Sequence, residues 1–271
     1  QAVKERRPNL TTIAEFQIGP VLHFLNDIFR QMAAPYRPES RENPIGQGYW
    51  IQAEFGSGKS HLLCFLAAMT LGSGDAWKIA LEKERSAGRG KSIYAFWENG
   101  LQDKSTSSRG IFVISRTLIG HGGKSGGRLV DIILRSAKEQ LQRELGKNIS
   151  LYPAELLAER FLHGDLERYR VDLGRFLRDP RFFAEDEQED LDKFLPNLQD
   201  PRYREACGNK LWRFYDEYLR VLPILDSDLE DILAHMVRAI LAEGYSGVLL
   251  LLDEISLFMK DRDDKQRSED E

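Results

Sequence analysis

Residues Gly48 to Leu63, GYWIQAEFGSGKSHLL, set a glycine-rich turn between a strand-forming run and an apolar helix, and that succession decides the fold class. In Gly56-Ser57-Gly58-Lys59-Ser60 the glycines free the backbone so that successive N–H groups converge on one small volume, where they can cradle phosphate oxygens. Lys59 is spaced to reach the β- and γ-phosphates of a nucleotide, and Ser60 offers its hydroxyl to Mg2+. His61 follows and is expected to pack or to lend a supporting hydrogen bond. Tyr49, Trp50 and Ile51 are strand formers, and His61 to Leu71 reads as a buried helix whose N-terminus faces the anion. The pattern departs from G-x-x-x-x-G-K-[ST] at its first position, which is Ala53.

A second segment completes the expected site. Val248 to Leu252 is wholly apolar and ends in two acids, Asp253 and Glu254, the form of a buried parallel strand that delivers carboxylates to its C-terminal edge. Asp253 is expected to hold the Mg2+ through its water shell, and Glu254 to accept a proton from the attacking water. Glu254 and Lys59 are thus the predicted catalytic pair, with Gly56, Ser57, Gly58, Lys59, Ser60 and His61 around the nucleotide.

Between these segments the texture changes twice. Ile18 to Met32 places Val21, Leu22, Leu25, Ile28 and Phe29 on one helical face, and Trp77 to Arg85 predicts a short helix. Ser92 to Trp97 (SIYAFW) and Ile111 to Ser115 (IFVIS) read as buried strands, and Arg128 to Leu145 as a helix. Short strands alternating with helices predict an α/β fold, a three-layer core with a parallel sheet. From Leu151 to about Gly244 charged helical runs take over, broken by Asp179-Pro180, Asp200-Pro201 and Pro223. The expected organisation is a lead and amphipathic helix over 1–47, the first part of the core over 48–149, a helical insertion over 150–244, and the acidic strand with the truncated end of the core over 245–271.

Composition bounds the rest. With 271 residues, 42% hydrophobic, the chain can bury a substantial core, and its net charge of −5 gives no global basic footprint for nucleic acid. Any such contact needs a local patch. The two cysteines, Cys64 and Cys207, exclude a disulfide framework, and Cys64 within HLLCFLAAM is expected to be buried. No apolar run approaches the ~20 residues that span a bilayer, and no signal-peptide pattern opens the chain, so the expected location is the cytoplasm, without membrane.

The two motifs together resemble those of P-loop ATPases of the AAA+ and related additional-strand class, where a glutamate beside the Walker-B aspartate polarises water. In that class a further strand lies between the phosphate-loop and Walker-B strands, a place open to SIYAFW or IFVIS. The match covers about Gly48 to Leu71 and Gly247 to Glu254, and the 194 positions from Lys59 to Asp253 exceed the spacing of a compact core. WIQAEFGSGKSHLL with LLLLDEISLFM is further similar to the large ATPases of bacterial BREX phage-defence islands, of BrxC or PglY type. The resemblance implies ATP and Mg2+ as cofactors and ATP hydrolysis serving a larger defence or remodelling complex. It implies other subunits as partners, with oligomerisation and DNA contact possible, direct or through partners. Fewer than twenty residues follow Glu254, so the strands and sensor residues this class needs are expected beyond them.

Two rival functions use the same residues: a nucleotide-gated scaffold with little turnover, and a P-loop kinase. Other residues carry plainer readings. The Gly120 to Gly127 segment GHGGKSGG is expected as a loop that meets a partner or nucleic acid through His121 and Lys124. Glu98-Asn99-Gly100 reads as a turn, with water positioning or partner sensing at a strand end the sharper alternative for Glu98 and Asn99, and Arg116 reads as a surface arginine, with phosphate contact its sharper alternative. The aromatic run Arg202 to Tyr218 reads as a helical core stripe, and Glu185 to Asp190 (EDEQED) as a solvated acidic helix start or loop.

Overall fold

The computed structural model describes residues 9–34, 47–52, 56–72, 74–88, 92–121, 127–221, 223, 229–260 and 262. Ala53 and Lys124 lie outside them. The protein is mostly helical with a parallel sheet, and it divides into two compact units: 1–147 with 237–271, and 148–236.

In the first unit, α1 (Leu10–Glu15) and a 3-10 turn at Gly19–Val21 lead into α2 (Leu22–Ala33). The apolar stripe predicted for this region buries Leu25, Ile28 and Phe29, while Asp27 and Arg30 pair on the outer face. Next comes α3 (Lys59–Thr70), in which Leu62, Phe65, Leu66, Ala67, Ala68 and Met69 are all buried. A helix apolar on nearly every side belongs at the centre of its unit. Phe16 stacks on Phe65 at 4.3 Å, α4 (Gly74–Ser86) sets Trp77 against Phe29, and Trp77 stacks on Trp97 at 5.2 Å.

Strand β1 (Ile111–Thr117) follows, then α7 (Leu129–Leu145), and, after the second unit, β2 (Gly247–Asp253) and α13 (Ile255–Lys260). The intervening α5 (Ser92–Phe96) and α6 (Gln102–Thr106) precede β1. The two strands pair in parallel, Ile111 opposite Gly247 and Thr117 opposite Asp253. Parallel neighbours need a long crossover, and here it carries the whole second unit. Ile111, Val113, Leu249 and Leu251 share one sheet face with the α3 core.

Two strand expectations are corrected. Ser92–Phe96 is helical and Trp97–Leu101 forms a π turn, so SIYAFW is not a strand. The reason is tertiary: the fully buried Glu84 carboxylate accepts hydrogen bonds from Ser92 Oγ at 2.8 Å, Ile93 N at 2.9 Å and Tyr94 N at 3.2 Å. It occupies the free N–H groups of a helix start, and Ile93 and Trp97, four apart, then face the core together. Residues Tyr49–Ile51 likewise form no strand. Tyr49 is held by α2, its hydroxyl donating to Asp27 O at 3.0 Å and its ring edge-on to Phe24, and Trp50 is 61% exposed.

Elsewhere in this unit, Lys104 donates to the carbonyls of Met32 and Ala34 and closes the C-terminal end of α2. Burial pulls its ammonium below the usual lysine range. Cys64 is exposed, against expectation, because it lies on the outer side of α3 while Phe65 and Leu66 point inward.

The second unit contains α8 (Ala154–Arg160), α9 (Leu166–Leu177), α10 (Leu191–Gln199) and α11 (Arg204–Arg213), and its boundary falls within α12 (Leu229–Ala242). Trp212, Phe214 and Tyr215 are buried, so the aromatic run serves as core, with Tyr203 outside it. Two π turns, Phe161–Asp165 and Phe214–Leu219, meet where Tyr215 Oη donates to Asp165 Oδ2 at 2.7 Å. Arg160 holds the same carboxylate with two further bonds. Burial and this acceptor push the Tyr215 hydroxyl far above the usual tyrosine range. Glu185, Asp186 and Glu187 are exposed turn residues.

Candidate functional site

Gly56 and Gly58 adopt φ of 79° and 89°, the left-handed region that glycine enters without steric cost. A Cβ at either position would meet no atom within 4 Å, so backbone conformation, not crowding, is what calls for glycine there. The chain turns at these two residues and starts α3 at Lys59, which leaves the first N–H groups of the helix at the turn. Ser60 is exposed in this first turn, and the His61 ring lies edge-on to Phe16 at 5.2 Å, a packing role.

At the far end of the sequence, β2 brings Asp253 to the same place. Asp253 follows Leu249 and Leu251 by even steps, so alternation sends all three to the α3 side of the sheet. Ser60 Oγ donates to Asp253 Oδ2 at 2.7 Å. The other carboxylate oxygen accepts from Glu254 N at 3.0 Å, and the Asp253 carbonyl accepts from Leu118 N at 2.9 Å. The aspartate is therefore fixed from three sides.

Glu254 is half-buried and has φ of 61°, a left-handed conformation that costs a non-glycine residue about 1–2 kcal/mol. The bend ends the strand there. Its carbonyl accepts from Leu257 N and Phe258 N, both at 3.1 Å, so α13 starts directly after it.

A hydroxyl and a carboxylate oxygen in contact at the head of a helix are the oxygen donors a hard divalent cation takes, and the exposed turn beside them offers backbone donors to an anion. The residues present fit Mg2+ with a phosphorylated nucleotide on these grounds.

Of the other residues singled out by the sequence, Glu98 and Asn99 sit exposed on the π turn after α5, not at a strand end. Gly120 and His121 form a turn after β1, while 122–126 lie outside the described residues. Arg116 is half-buried, not a free surface arginine, and its Nη2 lies 3.2 Å from His121 Nε2. Sequence reasoning did not foresee that contact, since a five-residue separation across a strand end has no periodic signature. Comparison with protein-family models, with curated proteins and with solved structures returns no match to this chain.

Proposed function

We propose that this chain binds ATP with Mg2+ and hydrolyses it, as the nucleotide-binding part of a larger machine with a three-layer P-loop core. The observation that carries the reading is the 2.7 Å bond between Ser60 and Asp253, residues the sequence marks separately as phosphate-loop and strand-tip groups. Bound ATP supplies a γ-phosphoryl group open to attack, and Mg2+ neutralises the charge on its oxygens. Backbone N–H groups of Gly56 to Ser60 and the Lys59 ammonium would hold the phosphates, Ser60 Oγ would bind the cation, and Asp253 would hold it through its water shell. Glu254, next to them on a strained backbone, takes a proton onto its carboxylate from a water at the strand tip. In this reading the second unit is an insertion in the core, DNA and other subunits are partners, and a phage-defence complex is the setting that the motif wording supports.

Calorimetric titration with ATP and Mg2+, joined to phosphate-release kinetics, tests this reading. Wild type is expected to bind and to release phosphate, Lys59→Ala to lose binding, and Glu254→Gln to bind but turn over at least a hundredfold more slowly, on the order expected for a lost general base. Equal ATP affinity in wild type and Lys59→Ala sinks the nucleotide reading. Binding without release makes the chain a nucleotide-gated scaffold, and phosphate found on a substrate hydroxyl makes it a kinase.

A further inference from the structure

We infer that the groove between α9 and α10 in the second unit docks a segment of a partner protein in which an aliphatic or aromatic side chain stands between carboxylates. The groove, of about 770 Å3, has an apolar floor and a basic rim. Val171, midway along α9, is 66% exposed, the most exposed large apolar side chain among the described residues. Gly174 lies one turn further on, where a Cβ would stand 3.9 Å from Leu191 Cδ2, so the missing side chain leaves a depression against the start of α10. Pro180 closes one end. Apolar surface held open to water in a depression is what a partner's side chain covers.

The rim decides the chemistry of the partner. Residues 166–178 hold four arginines, Arg168, Arg170, Arg175 and Arg178, against Glu167 and Asp172, in a unit that has 12 Lys and Arg against 20 Asp and Glu. Arg170, Arg175 and Arg178 line the groove. Arg170 is exposed and makes no ion pair or hydrogen bond among the described residues. Arg175 reaches Asp172 only at 3.9 Å, and the pair of Arg178 with Asp190 at 2.6 Å has both side chains well exposed. Pairs so open to water contribute little and exchange readily, which leaves three guanidinium groups for a partner's carboxylates.

Floor and rim together select a peptide. A nucleic acid offers phosphates but no aliphatic side chain for the floor, and the acidity of the rest of the unit repels a long polyanion. A second copy presenting the same face would set arginine against arginine. Asp179 is already held by Arg181 through bonds of 2.6 and 3.0 Å, and Asp192 stands across the groove on α10, so the α9 side is the one that takes carboxylates. Arg170 and Arg175 bracket Val171 and Gly174, so a short acidic segment can seat one apolar side chain on the floor and reach a guanidinium on either side of it.

Selection of a phage-displayed library of random dodecapeptides on the full chain, with no nucleotide present, tests the inference apart from the ATP reading. Retained peptides are expected to carry an aliphatic or aromatic residue among aspartates and glutamates. The recovered peptide, labelled and followed by fluorescence anisotropy, is expected to bind about tenfold more weakly to Arg170→Glu and about fivefold more weakly to Val171→Ser, both at exposed positions, and to lose affinity as salt rises. Gly174→Leu, which fills the depression, is expected to abolish binding; should it melt below wild type, the two surface variants decide. No enrichment on wild type over Arg170→Glu, retained peptides without acids, or unchanged affinity in Val171→Ser overturns the inference. So does single-stranded DNA that binds more tightly than the peptide and is released by Arg170→Glu, which makes the groove a polyanion site, and so does self-association of the chain that Arg170→Glu removes, which makes the occupant a second copy.

Discussion

Ser60 Oγ and Asp253 Oδ2, separated by 193 positions in sequence, are joined by a 2.7 Å hydrogen bond at the head of α3. The bond closes a crossover that runs through an entire second unit, and it sets one hydroxyl and one carboxylate side by side where the left-handed turn at Gly56 and Gly58 ends. Each partner is positioned by its own element, Ser60 by a central apolar helix and Asp253 by strand alternation.

Ser60→Ala and Asp253→Asn should each weaken Mg2+-dependent ATP binding at least tenfold, while binding measured with a chelator present stays nearly level. Stability should fall by only about 0.5–1.5 kcal/mol, the net worth of one hydrogen bond. Calorimetry with and without Mg2+ reads the first effect and urea unfolding the second. Equal losses with and without the metal would show that these residues shape the turn instead of holding a cation.

Glu84 should tolerate little. Its buried carboxylate serves three donors at the start of α5, so Glu84→Ala leaves those groups unpaired in the core at a cost of about 1–3 kcal/mol, and Glu84→Gln recovers part of it. Hydrogen exchange at the Ile93 and Tyr94 amides gives the local readout. Unchanged protection at both amides in Glu84→Ala would disprove the capping role.

Two glycines should fail for different reasons. A Cβ on Gly208 would sit 2.4 Å from Ala154 Cβ, which forces α8 and α11 apart, so Gly208→Ala should destabilise the second unit by about 1–3 kcal/mol. Gly58 has open space but a φ of 89°, so Gly58→Ala should cost about 1–2 kcal/mol through backbone strain and should distort the turn that meets the anion. Thermal unfolding distinguishes them when paired with ATP titration, because only Gly58→Ala should impair binding.

The thiols should separate cleanly. Cys64 is exposed and should react with a disulfide reagent at neutral pH, whereas burial, reinforced by Glu189, pushes the Cys207 thiol up to about 11. Reaction of one thiol in the native chain and two in denaturant is the expected count, and prompt loss of both in the native state would contradict the packing around α11.

The elements that were legible in the sequence are those whose signal is local. The stripe of Leu25, Ile28 and Phe29, the apolar run of α3, the helix Leu129–Leu145 and the strands at Ile111 and Gly247 all lie where periodicity put them. The elements that were not legible depend on a partner. SIYAFW has the composition of a strand, yet Glu84, outside that segment, supplies the cap that makes it a helix. Tyr49 to Ile51 has the same composition and is bound to α2 through the Tyr49 hydroxyl. Cys64 looked buried because its neighbours are apolar, but a helix has an outer side even in an apolar run.

By itself the sequence determined the residue types at the turn and at the strand tip: glycines that permit positive φ, then Lys59 and Ser60, and an apolar run ending in Asp253 and Glu254. These follow from backbone sterics and strand alternation, which act over a few residues. Only the tertiary structure decided that Ser60 meets Asp253, that Glu254 takes a left-handed bend, and that Arg116 faces the other side of the sheet beside His121. Those relations depend on strand register and on the packing of α3 against β1 and β2, which are fixed by the burial of side chains drawn from both ends of the chain.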